Sequence, residues 1–177
     1  MHPQEPIPVK YIFGVLYSDE TQLAKARHIL EQTYGPFDYK TEKYPFEITD
    51  YYEPEMGSPI YRLFYSLKQP ANPNLLARIK IECNDIEQEL AVSGNRTVNI
   101  DPGYMDYDKF ILASAKYNAQ KVYMDYGIWA DVTLYYRKGH FDPSVWCFPD
   151  FKDGRYEDAF LHIRAKYKGQ LRKMMKM

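Results

Sequence analysis

The sequence predicts a single α+β domain, in which a ferredoxin-like β-α-β-β-α-β sandwich is extended by a C-terminal β-hairpin and a final helix. The 177 residues are 45% hydrophobic and 27% charged, as in one ordinary globular domain. Strand-like and helix-like patterns alternate in the order of a split β-α-β unit. Two further strand patterns and an amphipathic segment follow. We place the core at about residues 8–105 and the extension at 106–177, within one domain of residues 1–177.

The first strand and helix have the clearest patterns. Residues 9–17 (VKYIFGVLY) are apolar on both faces, as in a central strand. Ser18 is a candidate N-cap, and Asp19 and Glu20 place negative charge where a helix begins. Gly35 and Pro36 predict its end. Its predicted inward positions are Leu23, Ala26, Leu30 and Tyr34.

A second strand, a loop, a third strand and a second helix follow. Residues 37–47 resemble a strand interrupted by Pro45, and residues 48–59 form a loop that is a candidate for function. Residues 60–67 (IYRLFYSL) are the third strand. Asn72 is a candidate cap for a helix with Pro73 in its first turn. Its predicted buried stripe is Leu76, Ile79, Cys83, Ile86 and Leu90.

The second half contains strands and one long helix. Residues 96–100 are the fourth strand, which we expect to end at the turn 101–103. Residues 109–114 (KFILAS) fit a strand or a short helix. Residues 121–124 and 128–136 predict a hairpin, and residues 141–155 a loop. The last helix covers residues 156 to about 175, with these residues directed inward: Phe160, Ile163, Tyr167, Leu171 and Met174.

Composition and motifs exclude several classes of protein. No apolar run approaches the ~18–20 residues of a membrane span. Cys83 and Cys147 are too few for a disulfide framework, and the first residues lack a signal-peptide pattern. We therefore expect a cytoplasmic protein without a membrane partner. No P-loop (GxxxxGK[ST]) and no Rossmann fingerprint (GxGxxG) is present, so neither nucleotide-binding signature identifies a cofactor.

Charge is distributed unevenly along the chain. Residues 160–177 contain six Lys or Arg and no acid, and the net charge of the chain is −1. A basic amphipathic helix has two interpretations. It is a solvated face, or it contacts phosphates, an acidic partner or a second copy of the chain, and the last of these would give a homo-oligomer.

Polar and aromatic groups are concentrated in three segments, residues 50–57, 101–104 and 137–140. We expect these segments to form one cleft that binds a small anionic ligand bearing a phosphate or a carboxylate, held by the cations and walled by tyrosines. A basic hairpin tip that keeps a sheet edge soluble is the alternative for residues 137–140. The candidate ligand-binding residues are Arg137, Lys138, His140, Lys116, Tyr104 and Tyr52.

Three carboxylates are candidate ligands for a divalent metal. Asp50, Glu53 and Asp101 offer the oxygen atoms that hard cations prefer, and a metal there would suit a hydrolase or transferase. The simpler interpretation is that the aspartates cap turns. Catalytic residues and reaction type remain open.

Six segments resemble a known family. They are FGVLYSDE (13–20), PFEITDYYEPEMG (45–57), VNIDPGYM (98–105), KFILASAK (109–116), GIWADVTLYYRKGHF (127–141) and WCFPDF (146–151). Together they are similar to the domain of unknown function 4416, a family of uncharacterised prokaryotic proteins. The resemblance covers nearly the whole chain and implies no particular activity.

Residues 11–37 also resemble the first strand and helix of an RNA recognition motif. This resemblance implies base stacking on Tyr11 or Phe13 together with Tyr61 or Tyr65, and hence binding of RNA or another single-stranded nucleic acid. The third strand lacks the glycine–aromatic pattern of that motif.

Overall fold

The computed structural model describes residues 2–176, within which the chain forms nine strands and five α-helices. The strands are β1 (Lys10–Tyr17), β2 (Phe37–Lys40), β3 (Tyr44–Pro45), β4 (Tyr61–Leu67), β5 (Val98–Met105), β6 (Lys109–Ser114), β7 (Val122–Asp125), β8 (Ile128–Arg137) and β9 (His140–Pro143). The helices are α1 (Glu20–Tyr34), α2 (Glu53–Met56), α3 (Leu76–Glu89), α4 (Pro149–Lys152) and α5 (Glu157–Met174).

All nine strands belong to one sheet. Its order is β2-β4-β1-β5-β6-β8-β7, with β3 beside β4 and β9 beside β8. Every strand pair is antiparallel. The predicted α+β class is therefore confirmed.

Helices cover both faces of the sheet, because β1 is apolar on both sides. Tyr11, Phe13 and Val15 pack under α1 and α3. Ile12 lies on the other face, in a second core that includes Phe151 of α4 and Phe160 of α5. Alternating side chains on a central strand thus serve two hydrophobic cores.

The helices α1 and α3 cover the face of the sheet on which the candidate base-stacking rings lie. Tyr11, Phe13 and Tyr65 are at most 1% exposed, and Tyr61 is half-buried with the Lys43 Nζ 4.7 Å from its ring centroid. The expectation that these rings stack on bases is wrong for the three buried ones, because α1 and α3 already occupy their faces.

Several predicted boundaries change. The strand predicted over residues 37–47 divides into β2 and β3, and β5 continues through the expected turn at 101–103. A Cβ on Gly103 would lie 2.5 Å from the Ile111 backbone oxygen, so the absence of a side chain allows β5 and β6 to pair here. KFILAS is strand β6. The predicted loop after residue 140 contains β9 and α4, and Met174, expected to be buried, is 45% exposed.

Two tight turns connect the strands β7, β8 and β9 at one edge of the sheet. Tyr126 and Gly127 both have positive φ angles (53° and 74°) and join β7 to β8. Lys138 and Gly139 have φ angles of 48° and 94° and join β8 to β9. Two-residue loops with positive φ at both positions match the twist of a hairpin. Residues 137–140 therefore form a hairpin tip. This agrees with the alternative interpretation of that segment given above, in which it is a basic hairpin tip.

Within residues 2–176, none of the helices combines the length and the apolar character needed to cross a membrane.

Candidate functional site

The sheet opens between β5 and β6. These strands pair only where Gly103–Met105 faces Phe110–Leu112. Towards its N-terminal end, β5 has β1 on one side and side chains of α3 on the other. Glu87 Oε1 accepts a hydrogen bond from the Ile100 amide at 2.6 Å, and Lys80 Nζ donates to the Ile100 carbonyl at 2.9 Å. Buried backbone groups must be paired, so these two side chains replace a neighbouring strand.

A cavity of about 240 Å³ lies at this opening. Lys80, Asn84 and Glu87 of α3 line it, as do Phe148 and Phe151 from the opposite layer. The segment between β3 and β4 closes another side. The other polar residues that line the cavity include Thr49, Tyr52, Arg62, Arg96, Asn99, Asp101, Ser114, Lys116 and Asp131.

Arg62 is a buried cation that lines the cavity. It comes from β4, is 6% exposed, and forms an ion pair with Asp150 through its Nη1 atom. Asp150 is fully buried and also accepts a hydrogen bond from the Tyr156 hydroxyl at 2.8 Å. The guanidinium carbon lies 4.7 Å from the ring centroid of Phe46 and 5.8 Å from that of Phe151. These contacts hold the guanidinium in one position.

One edge of the Arg62 guanidinium, which we call its open edge, has no hydrogen-bond partner within the described residues. Its Nε atom is buried and has no hydrogen-bond partner within the described chain. The Nη2 atom lies 3.8 Å from Asp101 Oδ2, beyond hydrogen-bonding distance. Nε and Nη2 form the fork with which arginine binds a carboxylate or phosphate through two parallel hydrogen bonds. Arg62, which lines the cavity, therefore has an unused bidentate donor.

Arg96 anchors the loop that closes the cavity. Its Nε and Nη2 atoms donate to the two oxygens of Glu55, each at 2.8 Å. Its Nη1 atom donates to Glu87 at 3.1 Å and to Asn99 at 3.0 Å. The hydrogen bonds from Arg96 hold the pKa of Glu55 below its ordinary value. The short helix α2 is thereby fixed to the sheet.

Asp101 and Lys80 connect these groups. Lys80 Nζ lies 3.3 Å from Asp101 Oδ1, and the Asn99 amide donates to Asp101 Oδ2 at 2.8 Å. Burial disfavours the Lys80 ammonium, but Asp101 and Glu87 outweigh this effect and raise its pKa. Burial also raises the pKa of Glu87, and Lys80 opposes that shift only in part. The charged side chains around the cavity therefore form a network of ion pairs.

A second polar cluster supports the wall formed by β6 and β8. Lys121 Nζ donates to Ser114 Oγ at 2.9 Å and lies 3.4 Å from Asp131 Oδ2. Asp131 is 4% exposed. Lys121 thus joins β6 to β8 through these two contacts, and the cluster supports the wall of the cavity.

Aromatic side chains surround the mouth. Tyr51 is 63% exposed and Phe148 is 57% exposed, although both line the cavity. The Lys116 Nζ lies 5.1 Å from the Tyr51 ring centroid. The mouth thus offers two solvent-accessible rings and one exposed cation.

The structure brings only some of the predicted site residues together. Tyr52, Asp101 and Lys116 line the cavity. Tyr104 does not, because it packs on the α1 and α3 face, 6.0 Å from the Tyr11 ring.

The third predicted segment lies elsewhere. Arg137, Lys138 and His140 form the β8–β9 hairpin tip, six residues along β8 from Asp131, about 20 Å at the rise of a strand. The expectation that residues 137–140 share a cleft with residues 50–57 and 101–104 is wrong, because β8 carries them away from the opening in the sheet. Any separate binding role of these residues stays a prediction.

The three predicted metal ligands do not form a group. Asp50 and Glu53 are exposed on the loop, whereas Asp101 interacts with Lys80 and Asn99. Within residues 2–176, no cluster of three or more His, Cys, Asp or Glu side chains has an arrangement that could hold a metal ion.

Sequence reasoning missed most of the charged network. A signal was present in Arg62, an arginine within an otherwise apolar strand, since such residues are seldom buried without partners. A second signal was the line of Lys80, Asn84 and Glu87, at helical spacing beside the apolar stripe of α3. The missed residues are Arg62, Lys80, Asn84, Glu87, Arg96, Asp131 and Asp150.

Comparison with known proteins identifies a family and no closer relative. The model of a family described as "Domain of unknown function (DUF4416)" matches residues 7–167. No curated protein matches significantly. No solved structure does so either.

Proposed function

The chain belongs to the DUF4416 family of unknown function, and we propose that it binds a small anionic ligand in the cavity between β5 and β6. The observation that carries this proposal is the open edge of Arg62, whose buried Nε atom has no partner within the described residues. An unsatisfied buried donor costs about 1–3 kcal/mol. A ligand oxygen at this position removes that cost.

The surroundings of Arg62 support a binding role. Its ion pair with Asp150 and its contacts with two phenylalanine rings fix the guanidinium before a ligand arrives. Preorganised donors bind more tightly because less conformational freedom is lost. Lys116 at the mouth attracts an approaching anion, and aromatic rings line the entrance, as is typical of small-molecule sites.

Isothermal titration calorimetry against a panel of small carboxylates and phosphates tests the proposal. We expect at least one of them to bind, and we expect Lys116→Ala to weaken that binding severalfold. Lys116 is exposed, so its replacement leaves the folded core intact. The matched control is Arg137→Ala with Lys138→Ala, which also removes exposed positive charge but at the hairpin tip.

Two results contradict the proposal. One is that no member of the panel binds to the wild-type protein. The other is that the hairpin variant loses binding while Lys116→Ala retains it, which would place the site at residues 137–140.

For the architecture, we propose that residues of about 8–105 form a ferredoxin-like core within one domain. The antiparallel order β2-β4-β1-β5 supports this, since it places the first strand between the third and fourth strands of the βαββαβ unit. Self-association through α5 stays a prediction, as does the cytoplasmic location.

A further inference from the structure

The charges around Arg62 limit the ligands that fit. The charged network at the cavity contains three cations, Arg62, Lys80 and Arg96. It also contains four carboxylates, those of Glu55, Glu87, Asp101 and Asp150. Its formal charge is therefore −1, although the open edge of Arg62 requires an acceptor.

This balance favours a singly charged ligand. Asp101 Oδ2 lies 3.8 Å from the Nη2 atom of Arg62, so any anion on the open edge also approaches a carboxylate. Coulomb repulsion grows in proportion to the charge of the ligand. A phosphate monoester carries about two negative charges at neutral pH or above, whereas a carboxylate carries one. The carboxylate meets roughly half the repulsion.

The shape of the site favours a planar group. The Nε and Nη2 donors of Arg62 are coplanar and match the two oxygens of a carboxylate. Phe46 and Phe151 lie within 6 Å of the guanidinium carbon and line the same cavity. Rings on the borders of the site leave less room for the out-of-plane oxygen of a tetrahedral phosphate.

The mouth adds a preference for an aromatic ring. Tyr51 and Phe148 expose more than half of their surface to solvent at the cavity entrance. A ring placed against them removes apolar surface from water and gains aromatic contacts. The cavity volume of about 240 Å³ suits a compound smaller than a typical drug molecule.

Resting on the proposed function, we infer that the ligand is a singly charged aromatic carboxylate, with its carboxylate on Nε and Nη2 of Arg62 and its ring against Tyr51 and Phe148. Lys116 contributes attraction for any anion. Tyr51 and Phe148 select for the ring. These two roles predict different effects of substitution.

Calorimetry on the full chain with four probes tests this inference. The probes are benzoate, cyclohexanecarboxylate, acetate and phenyl phosphate, at a pH at which the phosphate ester is a dianion. We expect benzoate to bind severalfold more tightly than each of the others. Tyr51→Ala and Phe148→Ala should remove most of the preference for benzoate over cyclohexanecarboxylate, whereas Lys116→Ala should weaken both carboxylates together.

The outcomes separate this inference from the proposed function. If phenyl phosphate or cyclohexanecarboxylate binds as tightly as benzoate, the inference of an aromatic carboxylate is wrong. The proposed anion site would still stand. If benzoate binds best but neither Tyr51→Ala nor Phe148→Ala reduces the preference, the assigned ring position is wrong. If none of the probes and no inorganic phosphate binds to the wild-type protein, the proposed function fails as well.

Discussion

Glu87 accepts a hydrogen bond from the backbone amide of Ile100 at 2.6 Å, at the position where an adjacent strand would otherwise pair. A helix side chain thereby completes the hydrogen bonding of a central strand, and β6 is free to diverge from β5. The cavity exists because this replacement satisfies the backbone without filling the opening.

Replacing Glu87 tests this role. In Glu87→Leu the Ile100 amide loses its acceptor, and the buried Lys80 and the half-buried Arg96 lose a counter-charge. We expect the free energy of unfolding to fall by about 3–5 kcal/mol, the range for breaking a buried ion pair. Glu87→Gln keeps an acceptor oxygen for the Ile100 amide, so its free energy of unfolding should fall by less. Urea denaturation measures both variants.

The exposed residue Glu89 on the same helix provides the control. Glu89→Leu should stay within about 0.5 kcal/mol of the wild type. Equal stability of Glu87→Leu and the wild type would show that β5 does not depend on this contact.

The pair formed by Arg62 and Asp150 leads to a second prediction. Arg62→Met leaves a fully buried carboxylate without its cation, and we expect a loss of about 3–5 kcal/mol in unfolding free energy. Adding Asp150→Asn removes the uncompensated charge and should restore part of the stability, as measured by a double-mutant cycle in urea. Arg137→Met, at the exposed hairpin tip, is the control. A double variant no more stable than Arg62→Met would contradict the pairing.

Two glycines should respond to alanine with opposite signs. A Cβ on Gly103 would lie 2.5 Å from the Ile111 oxygen and 2.8 Å from the Phe110 ring, so Gly103→Ala must push β5 and β6 apart. We expect a destabilisation of about 1–3 kcal/mol. A Cβ on Gly169, in α5, meets nothing within 4 Å, and Gly169→Ala should stabilise the protein by up to about 1 kcal/mol. Thermal and urea unfolding of both variants test this prediction. An equal effect of the two substitutions on stability would contradict the close approach of β5 and β6 at Gly103.

The ion pair between Glu55 and Arg96 predicts a pH dependence. Its hydrogen bonds lower the pKa of Glu55 from the ordinary 4.5, so the folded state binds that proton less readily than the unfolded state. The stabilisation is therefore present above the ordinary pKa and is lost as pH falls through the lowered one. The stability difference between the wild type and Glu55→Gln should shrink on acidification.

Unfolding measured in urea between neutral and acidic pH tests this. The exposed neighbour Glu53, replaced by Gln, is the matched control and should show no comparable change. A constant difference between wild type and Glu55→Gln across the range would show that this ion pair does not anchor the loop.

The two cysteines should be unreactive in the folded protein. Cys83 is fully buried on the inner face of α3, and burial raises its pKa well above the ordinary value. Cys147 is 5% exposed, and burial raises its pKa as well. Because the thiolate is the reactive form, a disulfide reagent such as Ellman's should label both thiols only after addition of denaturant. Rapid labelling of the native protein would contradict this burial.

Local patterns predicted much of the secondary structure. The buried stripe of α3, from Leu76 to Leu90, follows from helical periodicity alone, and the hairpin between β7 and β8 follows from alternation around Tyr126 and Gly127. The boundaries that differed depend on partners. Pro102 lies within β5 because β1 and Gly103 hold the strand on both sides, which a turn-forming sequence does not reveal.

The sequence by itself determined the family, the α+β class and the apolar faces, because each depends on residues close together in the chain. Only the tertiary structure decided which charges meet. Arg62, Lys80 and Asp150 are distant in sequence, and the strand order and the covering helices bring them into one charged network beside the cavity. Basic residues 137–140 have an equally suggestive composition, yet a hairpin turn directs them away. Electrostatic interactions depend on distance in space, which local patterns of residues do not specify.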